Sequence, residues 1–444
     1  MEKSKLDAND SVAFGASATN WNYARSYMAT GLALLHAITG NDAYAQAAYA
    51  KLAAIHANPD PDANLPTSAK GLSAITVGRG FGLAYDWCYN AWNETQRAYV
   101  KGKIDTMLNY WATMNYDNKG EPWASNWVAV CEGGELTVML AAAQETSRAA
   151  RYAALKSHLV SHIENGYGPL GVSQEGIGYT AYGGLFLVPA IIALRDIGDT
   201  GLDAAADSRE WWRQSLYAAS FADYPADHNF AGWTYFLGNG VDAPKTNDEG
   251  WTGLLMGIVP SSQAGYYKYF YDRCEGKLSE GPVGWKYELR NAGTVWAIIL
   301  YPESIAAQDP NSAFPKATGD NEKGMYYFRN RWQDAQDVVT TVLINQPDGT
   351  KPREVLVWGM GGLRLTLGEP PRGAKVTHFA AGRDGSGSVT AGNFSMAVDH
   401  SKASGAEVLV AVLGTTPREQ KPDPRYRITP VTVGGLQGAV LTLS

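Results

Sequence analysis

The hydrophobic period of this chain changes once, near Tyr301, and that single change bounds the folds open to it. From about residue 20 to residue 300, apolar residues recur at the three- and four-residue spacing of helices that bury one face. Expected helices are Trp21–Ile38, Ala43–Ile55, Leu72–Trp92, Thr95–Trp111, Glu135–Gln144, Ser147–Asn165, Tyr179–Arg195, Asp207–Ser220, Gly250–Ile258, Gln263–Cys274 and Trp285–Leu300. Their punctuation is local chemistry. Thr39-Gly40-Asn41-Asp42 is a glycine stop followed by an Asn/Asp cap, and Asn93-Glu94 opens another helix. The helices pair into hairpins of roughly 40 to 60 residues, the size of an α-hairpin repeat. Such an array predicts an α/α toroid or solenoid; in a toroid the inner-helix ends and their loops meet at a central cleft.

Beyond Tyr301, the prolines Pro302, Pro310 and Pro315 read as a linker. Short β-branched stretches follow at Met325–Arg329, Val338–Ile344, Glu354–Trp358, Leu363–Leu367, Lys375–Phe379, Gly387–Ala391, Asn393–Val398 and Glu407–Leu413. Turn signals such as Pro347-Asp348-Gly349 and Asp384-Gly385 separate them. The final Gly-Ala-Val-Leu-Thr-Leu-Ser reads as a strand cut short. The expected fold is multidomain α+β, with an N-terminal α/α toroid over residues 1–305 as the catalytic domain. An antiparallel β-sandwich is expected over residues 320–444.

With 444 residues the chain is too long for one small core. Its 14 tryptophans and 25 tyrosines fill large helical cores, and flat rings also stack on the C–H faces of sugars. The net charge of −7, with no basic stripe, argues against nucleic acid as a partner. An anionic sugar remains open, because it needs only a few local cations. No apolar run is long enough to span a bilayer, so no membrane partner is expected. No phosphate-cradling or dinucleotide fingerprint is present, so no cofactor is expected. Cys88, Cys131 and Cys274 have neither zinc nor disulfide spacing; they read as free thiols, and no metal is expected. The first residues carry no signal-peptide core, so the expected secreted or periplasmic location presupposes a leader removed ahead of Met1.

The segment with the most chemistry is Ser173-Gln174-Glu175-Gly176-Ile177-Gly178-Tyr179-Thr180-Ala181-Tyr182-Gly183. It sets a carboxylate and two phenols on a glycine-loosened turn that leads into an apolar helix. A phenol ionises only near about pH 10 in water, so one that exchanges protons near neutrality needs help from its surroundings. An enzyme that removes a weakly acidic carbon-bound proton can use such a group as base and then as acid. A helix start with buried aromatics is the plainer reading of the same letters.

Three segments together resemble the heparinase II/III-like polysaccharide lyases. Gly82-Leu83-Ala84-Tyr85-Asp86-Trp87 is similar to that family's early inner-helix signature. Ser125-Asn126-Trp127-Val128-Ala129-Val130-Cys131-Glu132-Gly133-Gly134 is similar to its NNW…C…GG stretch, and Glu175–Gly183 to its EGxxYxxYG. The resemblance implies β-elimination on a uronate glycan: H5 is removed, the C4 oxygen is expelled, and an unsaturated sugar remains. It gives Tyr179 the acid and base work and gives Asn126 the neutralisation of the uronate carboxylate. Asn126 also reads simply as a helix N-cap before Trp127. Glu175, Tyr182, Trp127, Trp123 and Arg79 become substrate-binding candidates. Glu175 is read as orienting Tyr179 or favouring the helix start. Arg79 lies ahead of Gly80-Phe81-Gly82, read as a helix start; Lys286, Arg290, Arg329 and Arg331 are further cations.

The sequence departs from the family where histidines are expected. Glu121-Pro122-Trp123-Ala124-Ser125-Asn126-Trp127 has none, and neither does Ile344-Asn345-Gln346-Pro347-Asp348-Gly349. His228, in an aromatic loop beside Asp227, is a catalytic candidate that could reach the cleft, and either of the sandwich histidines His378 and His400 could point back at the toroid. His36, His56, His158 and His162 fall within helices and read as structural. With no histidine, Tyr179 would act alone in a syn elimination. Two other readings stay open. One is an α/α-toroid glycoside hydrolase with a carboxylate pair drawn from Glu175, Glu132 and Asp227. The other is a non-catalytic glycan-binding relative. The expected partner throughout is an anionic polysaccharide or oligosaccharide, and alginate, glucuronan, heparin-like and ulvan-like chains all fit.

Overall fold

The structure, a computed structural model, describes residues 18–55, 71–114, 125–173, 175–220, 233–234, 251–274, 292–333, 336–344, 353–360, 363–400 and 408–443. The helices are α1 (Ala18–Thr39), α2 (Asp42–Ala53), α3 (Leu72–Cys88), α4 (Glu94–Trp111), α5 (Asn126–Ala141), α6 (Ala149–Gly166) and α7 (Ile177–Asp196). They continue with α8 (Gly201–Ser208), α9 (Arg213–Ala218), α10 (Trp251–Leu255), α11 (Ser261–Cys274) and α12 (Ala292–Leu300). Helices α1, α3, α5, α7, α10 and α12 pack side by side in that order, and α12 returns to α1, closing a ring. Helices α2, α4, α6 and α11 each lie against the preceding inner helix, and α8 lies against α6.

The caps act where the letters place them. Gly40 takes φ +66, and the Asn41 side chain accepts from the Ala43 N–H at 3.0 Å. Asn93 and Gln96 exchange hydrogen bonds as a capping box. Three boundaries differ from expectation. Helix α5 begins at Asn126, well ahead of Glu135, because the Ser125 hydroxyl caps it by accepting from Trp127 N–H at 3.3 Å. Of the stretch expected as one helix over Asp207–Ser220, only the end of α8 and the short α9 are helical; a turn where Glu210 adopts φ +42 separates them, and Ala219–Ser220 pairs as a short strand with Trp233–Thr234. Gly80-Phe81-Gly82 does not start a helix but lies inside α3.

The inner helices touch at glycines. A Cβ on Gly133 of α5 would stand 3.0 Å from Leu187 Cα of α7, and one on Gly183 of α7 would stand 2.8 Å from Ala129 Cβ of α5. Position 183 thus meets 129, and 187 meets 133, so the two helices run parallel with both N-termini at one end of the ring. Helix α3 joins them in the same sense, with Ile75 against Gly134 and Gly82 against Val138.

Eleven strands follow: β1 (Ala317–Asp320), β2 (Met325–Arg329), β3 (Val338–Leu343), β4 (Glu354–Gly359), β5 (Leu363–Gly368), β6 (Val376–Ala381), β7 (Gly387–Ala391), β8 (Phe394–Asp399), β9 (Val408–Leu413), β10 (Tyr426–Val433) and β11 (Leu436–Leu443). They form two antiparallel sheets, β1-β2-β3-β4-β5 and β10-β11-β9-β8-β7-β6. The first sheet is buried on both faces. Met325, Tyr327, Val339, Leu343, Leu356 and Trp358 join the helical core, while Tyr326, Phe328, Val338, Val342, Val355 and Val357 face the second sheet. That double burial explains the near-unbroken apolar runs of β2 and β3. Strand β10 was not expected, because Pro430 removes a ladder donor; it is tolerated because β10 is an edge strand. Gly434 and Gly435, at φ +58 and +81, make the two-residue turn into β11. The tail expected to be a strand is β11, paired with β10 over Leu436–Leu443 and with β9 over Gly438–Leu443.

Polar anchors tie the sheets to the ring. Arg329, fully buried, donates from Nη1 to the carbonyls of Leu216 at 2.9 Å and Tyr217 at 3.1 Å. Its guanidinium lies 4.4 Å from the Trp332 ring centroid, and Asp337 stands 3.6 Å away. Tyr217 donates to the Pro315 carbonyl at 2.6 Å, and Gln214 donates to the Tyr327 hydroxyl at 2.8 Å.

Candidate active site

The candidate site lies where α5 and α7 begin. Asn126 is the first residue of α5 and is 6% exposed. Ser125 takes the capping role that Asn126 could have filled, which leaves the Asn126 amide for another partner. That partner is Glu175, far off in sequence. Glu175 Oε2 accepts from the Asn126 backbone N–H at 2.5 Å and from Asn126 Nδ2 at 3.0 Å.

The loop ahead of α7 is built to hold Glu175 in place. Tyr167 and Ser173 form an isolated bridge, and Gly168 N–H donates to the Val172 carbonyl at 3.0 Å. Gly171, at φ +68, lies so close to Trp211 that a Cβ there would stand 2.6 Å from the Trp211 carbonyl oxygen. Ser173 Oγ accepts from Glu175 N–H at 3.2 Å. Gly176 adopts φ +84 and ψ 171, a region that essentially only glycine occupies, and this reverses the chain between Glu175 and α7. Asp320 of β1 reaches over from the sheet and accepts from Leu170 N–H at 3.5 Å; its burial pushes its pKa up.

Tyr179 sits in the first turn of α7 and is 37% exposed, whereas most large apolar residues of that helix are buried. Tyr182 is half-buried, edge-on to Phe186 at 5.8 Å between centroids. Trp127 is half-buried against the helical core. Both helix N-termini lie at this end of the ring, where the helix dipoles favour negative charge.

Other candidates fall elsewhere. Arg79, expected to meet an anionic sugar, is 2% exposed; it donates to the Leu185 carbonyl at 2.8 Å and lies 4.4 Å from the Phe186 ring centroid. It ties α3 to α7 from within the core, because its place in mid-helix turns it towards α7. Glu132, offered as a hydrolytic carboxylate, is buried and bonded to His158 Nδ1 of the outer helix α6 at 2.6 Å. One turn on, Glu135 binds Arg151 of α6, with Nε at 2.9 Å and Nη2 at 2.6 Å. Arg329 and Arg331 converge on Asp337, within the packing of the sheet against the ring. His378 is exposed on β6, and His400 is buried at the end of β8. Trp123, His228, Asp227, Lys286 and Arg290 lie outside the described residues. No group of three or more metal-ligating side chains occurs among the described residues.

Sequence reasoning placed Glu175 beside Tyr179 and missed its grip on Asn126. The two are brought together only by the parallel packing of α5 and α7, which no local pattern encodes. A small hint was available: Ser125 is itself a good cap, so Asn126 was not needed as one.

A closed helical ring followed by a two-sheet antiparallel sandwich is a heparinase-like polysaccharide lyase fold, and this chain has it. Heparinase III superposes with a TM-score of 0.50 at 11% identity, over 98% of this chain and 77% of that one. Heparan sulfate lyase HepC from Pedobacter heparinus gives 0.49 at 9% identity, over 96% and 74%. A Paenibacillus xanthan lyase gives 0.46 at 12% identity, over 97% of this chain and 46% of that one. No protein-family model matches the chain, and no curated protein sequence matches it. Among the described residues, no helix is long and apolar enough to cross a membrane.

Proposed function

We propose that this protein is a polysaccharide lyase that cleaves a uronic-acid-containing glycan by β-elimination, acting outside the cytoplasm. The observation that carries this reading is the arrangement of Asn126 and Tyr179 in the first turns of two parallel, packed inner helices, with Tyr179 exposed. The heparinase-like fold is consistent with it.

The chemistry runs as follows. The Asn126 amide donates to the uronate carboxylate, lessening its charge so that the C5–H bond can be broken. The Tyr179 oxygen takes the C5 proton, and the electron pair moves into the carboxyl group as an enolate. Collapse of the enolate forms the C4–C5 double bond and breaks the C4–O bond. The leaving C4 oxygen gains that proton from Tyr179, which returns to the phenolate that began the step. One residue serving both steps requires H5 and the leaving oxygen on the same face, a syn elimination. The helix N-termini at this end favour the negative charge that builds up on the enolate.

The test is ultraviolet absorbance of the unsaturated product across alginate, glucuronan, glycosaminoglycans and pectate. A rise on one polymer is expected. Tyr179→Phe is expected to abolish turnover, by about a thousandfold or more, while glycan binding stays near wild type. New reducing ends without absorbance would move the assignment to hydrolysis, and retained turnover in Tyr179→Phe would remove that residue from the mechanism.

A further inference from the structure

We infer that Glu175 is a positioning residue that sets which end of the Asn126 amide faces the substrate; this rests on the reading of Asn126 above. The geometry is specific. One carboxylate oxygen, Oε2, receives both the main-chain and the side-chain N–H of the same residue, at 2.5 and 3.0 Å. An anion accepts and cannot donate, so the Nδ2 end of the amide is turned towards Glu175 and the Oδ1 end is turned away. A primary amide has two Nδ2 hydrogens. Glu175 takes one; among the described residues nothing takes the second. That second hydrogen is the donor available to a uronate carboxylate, and its direction is fixed by the first.

The bond to Nδ2 is more than helix capping. Ser125 already caps α5, and a carboxylate at the main-chain N–H alone would leave the amide free to flip. A flipped amide would present Oδ1 to an anionic substrate and repel it. The supporting loop fits this role. Ser173 holds the Glu175 main chain, and the glycine-only conformation of Gly176 lets the carboxylate stand across from α5 while Tyr179 follows on α7. The loop therefore sets the carboxylate and the phenol in mutual register, and the carboxylate sets the amide. Glu175 touches no reacting atom in this scheme.

The experiment is a double-mutant cycle in the full chain, on the polymer that gives absorbance, using Glu175→Leu, Glu175→Ala, Asn126→Ala and the double variant Glu175→Ala/Asn126→Ala. Glu175→Leu removes both acceptor oxygens, so it no longer fixes the amide. Its kcat is expected to fall by about tenfold to a hundredfold, with KM within about threefold. In the Asn126→Ala background, adding Glu175→Ala should change kcat by less than about twofold, because nothing remains to be oriented. An equal loss in both backgrounds would overturn the inference and make Glu175 a substrate contact. A second readout does not need activity. In protein labelled with nitrogen-15 at asparagine, the Asn126 side-chain pair is identified by its loss in Asn126→Ala. Its two hydrogens should be well separated in shift in the native chain and collapse towards free-amide values in Glu175→Leu. An unmoved pair would overturn the inference even if no glycan is cleaved. A moved pair without turnover on any glycan would leave the clamp standing and sink the lyase reading. Glu175→Leu keeps most of the side-chain volume, so the test survives if Glu175→Ala fails to fold.

Discussion

His400 is buried to 5% exposure, and neither ring nitrogen has a hydrogen-bond partner. Burial pushes its pKa down to about 4, against the upward pull of Asp384 and Asp399 and with Lys316 reinforcing the fall. In the unfolded chain the same ring takes a proton near about pH 6.5. Between those two values the unfolded state binds a proton that the folded state refuses, so stability falls as pH drops from about 6.5 to about 4. The full loss is about 3 kcal/mol. Urea unfolding across that window should show the slope, and His400→Phe should reduce it; an unchanged slope would clear His400. The sequence could offer His400 only as one of two sandwich histidines, because whether a side chain at a strand end is buried depends on how the two sheets stack. The site shows the same division. Glu175, Gly176 and Tyr179 are legible because they are neighbours, whereas the Glu175–Asn126 contact spans 49 residues and depends on tertiary packing.

Among the elements, α3 shows how glycine can mislead. Gly80-Phe81-Gly82 reads as a helix start, yet it lies mid-helix, because its glycines admit neighbours. A Cβ on Gly78 would stand 2.2 Å from Trp111 of α4, one on Gly80 2.7 Å from the Ser26 carbonyl oxygen of α1, and one on Gly82 3.1 Å from Val138 Cα of α5. Three glycines thus serve three contacts of the ring. Gly80→Ala gains about 1 kcal/mol of helix propensity but forces backbone against backbone, which costs about 1–3 kcal/mol. Main-chain atoms cannot swing aside, so a net loss of stability is expected, read as a lower urea midpoint with unchanged slope. A higher midpoint would show that α1 and α3 can slide apart freely. Helix existence and the caps at Asn41 and Asn93 were legible because they are set by letters a few residues apart. Strand β10 was not, because the meaning of Pro430 depends on whether its strand lies at an edge.

In the whole molecule, the change of period near Tyr301 marked the passage from ring to sandwich. What it could not reveal is how the two are joined. Arg329 contributes to that junction, with its guanidinium on the Leu216 and Tyr217 carbonyls, the Trp332 ring and Asp337. Arg329→Met would keep much of the bulk and leave a buried carboxylate and two carbonyls short of a donor. A loss of about 3 kcal/mol or more is expected in urea unfolding; a change under about 0.5 kcal/mol would show the junction to be held by apolar packing alone. The first sheet carries the larger consequence. Its strands give one set of side chains to the ring and the alternate set to the second sheet, so it is a party wall between two buildings. A cut in the polypeptide near Tyr301 would strip one side of that wall bare and expose Tyr327, Leu356 and Trp358 to water. The seam that is plain in the sequence is therefore not a seam in the free energy, and the loop ahead of α7 is itself tied, through Leu170 and Asp320, to a strand that follows it in the chain.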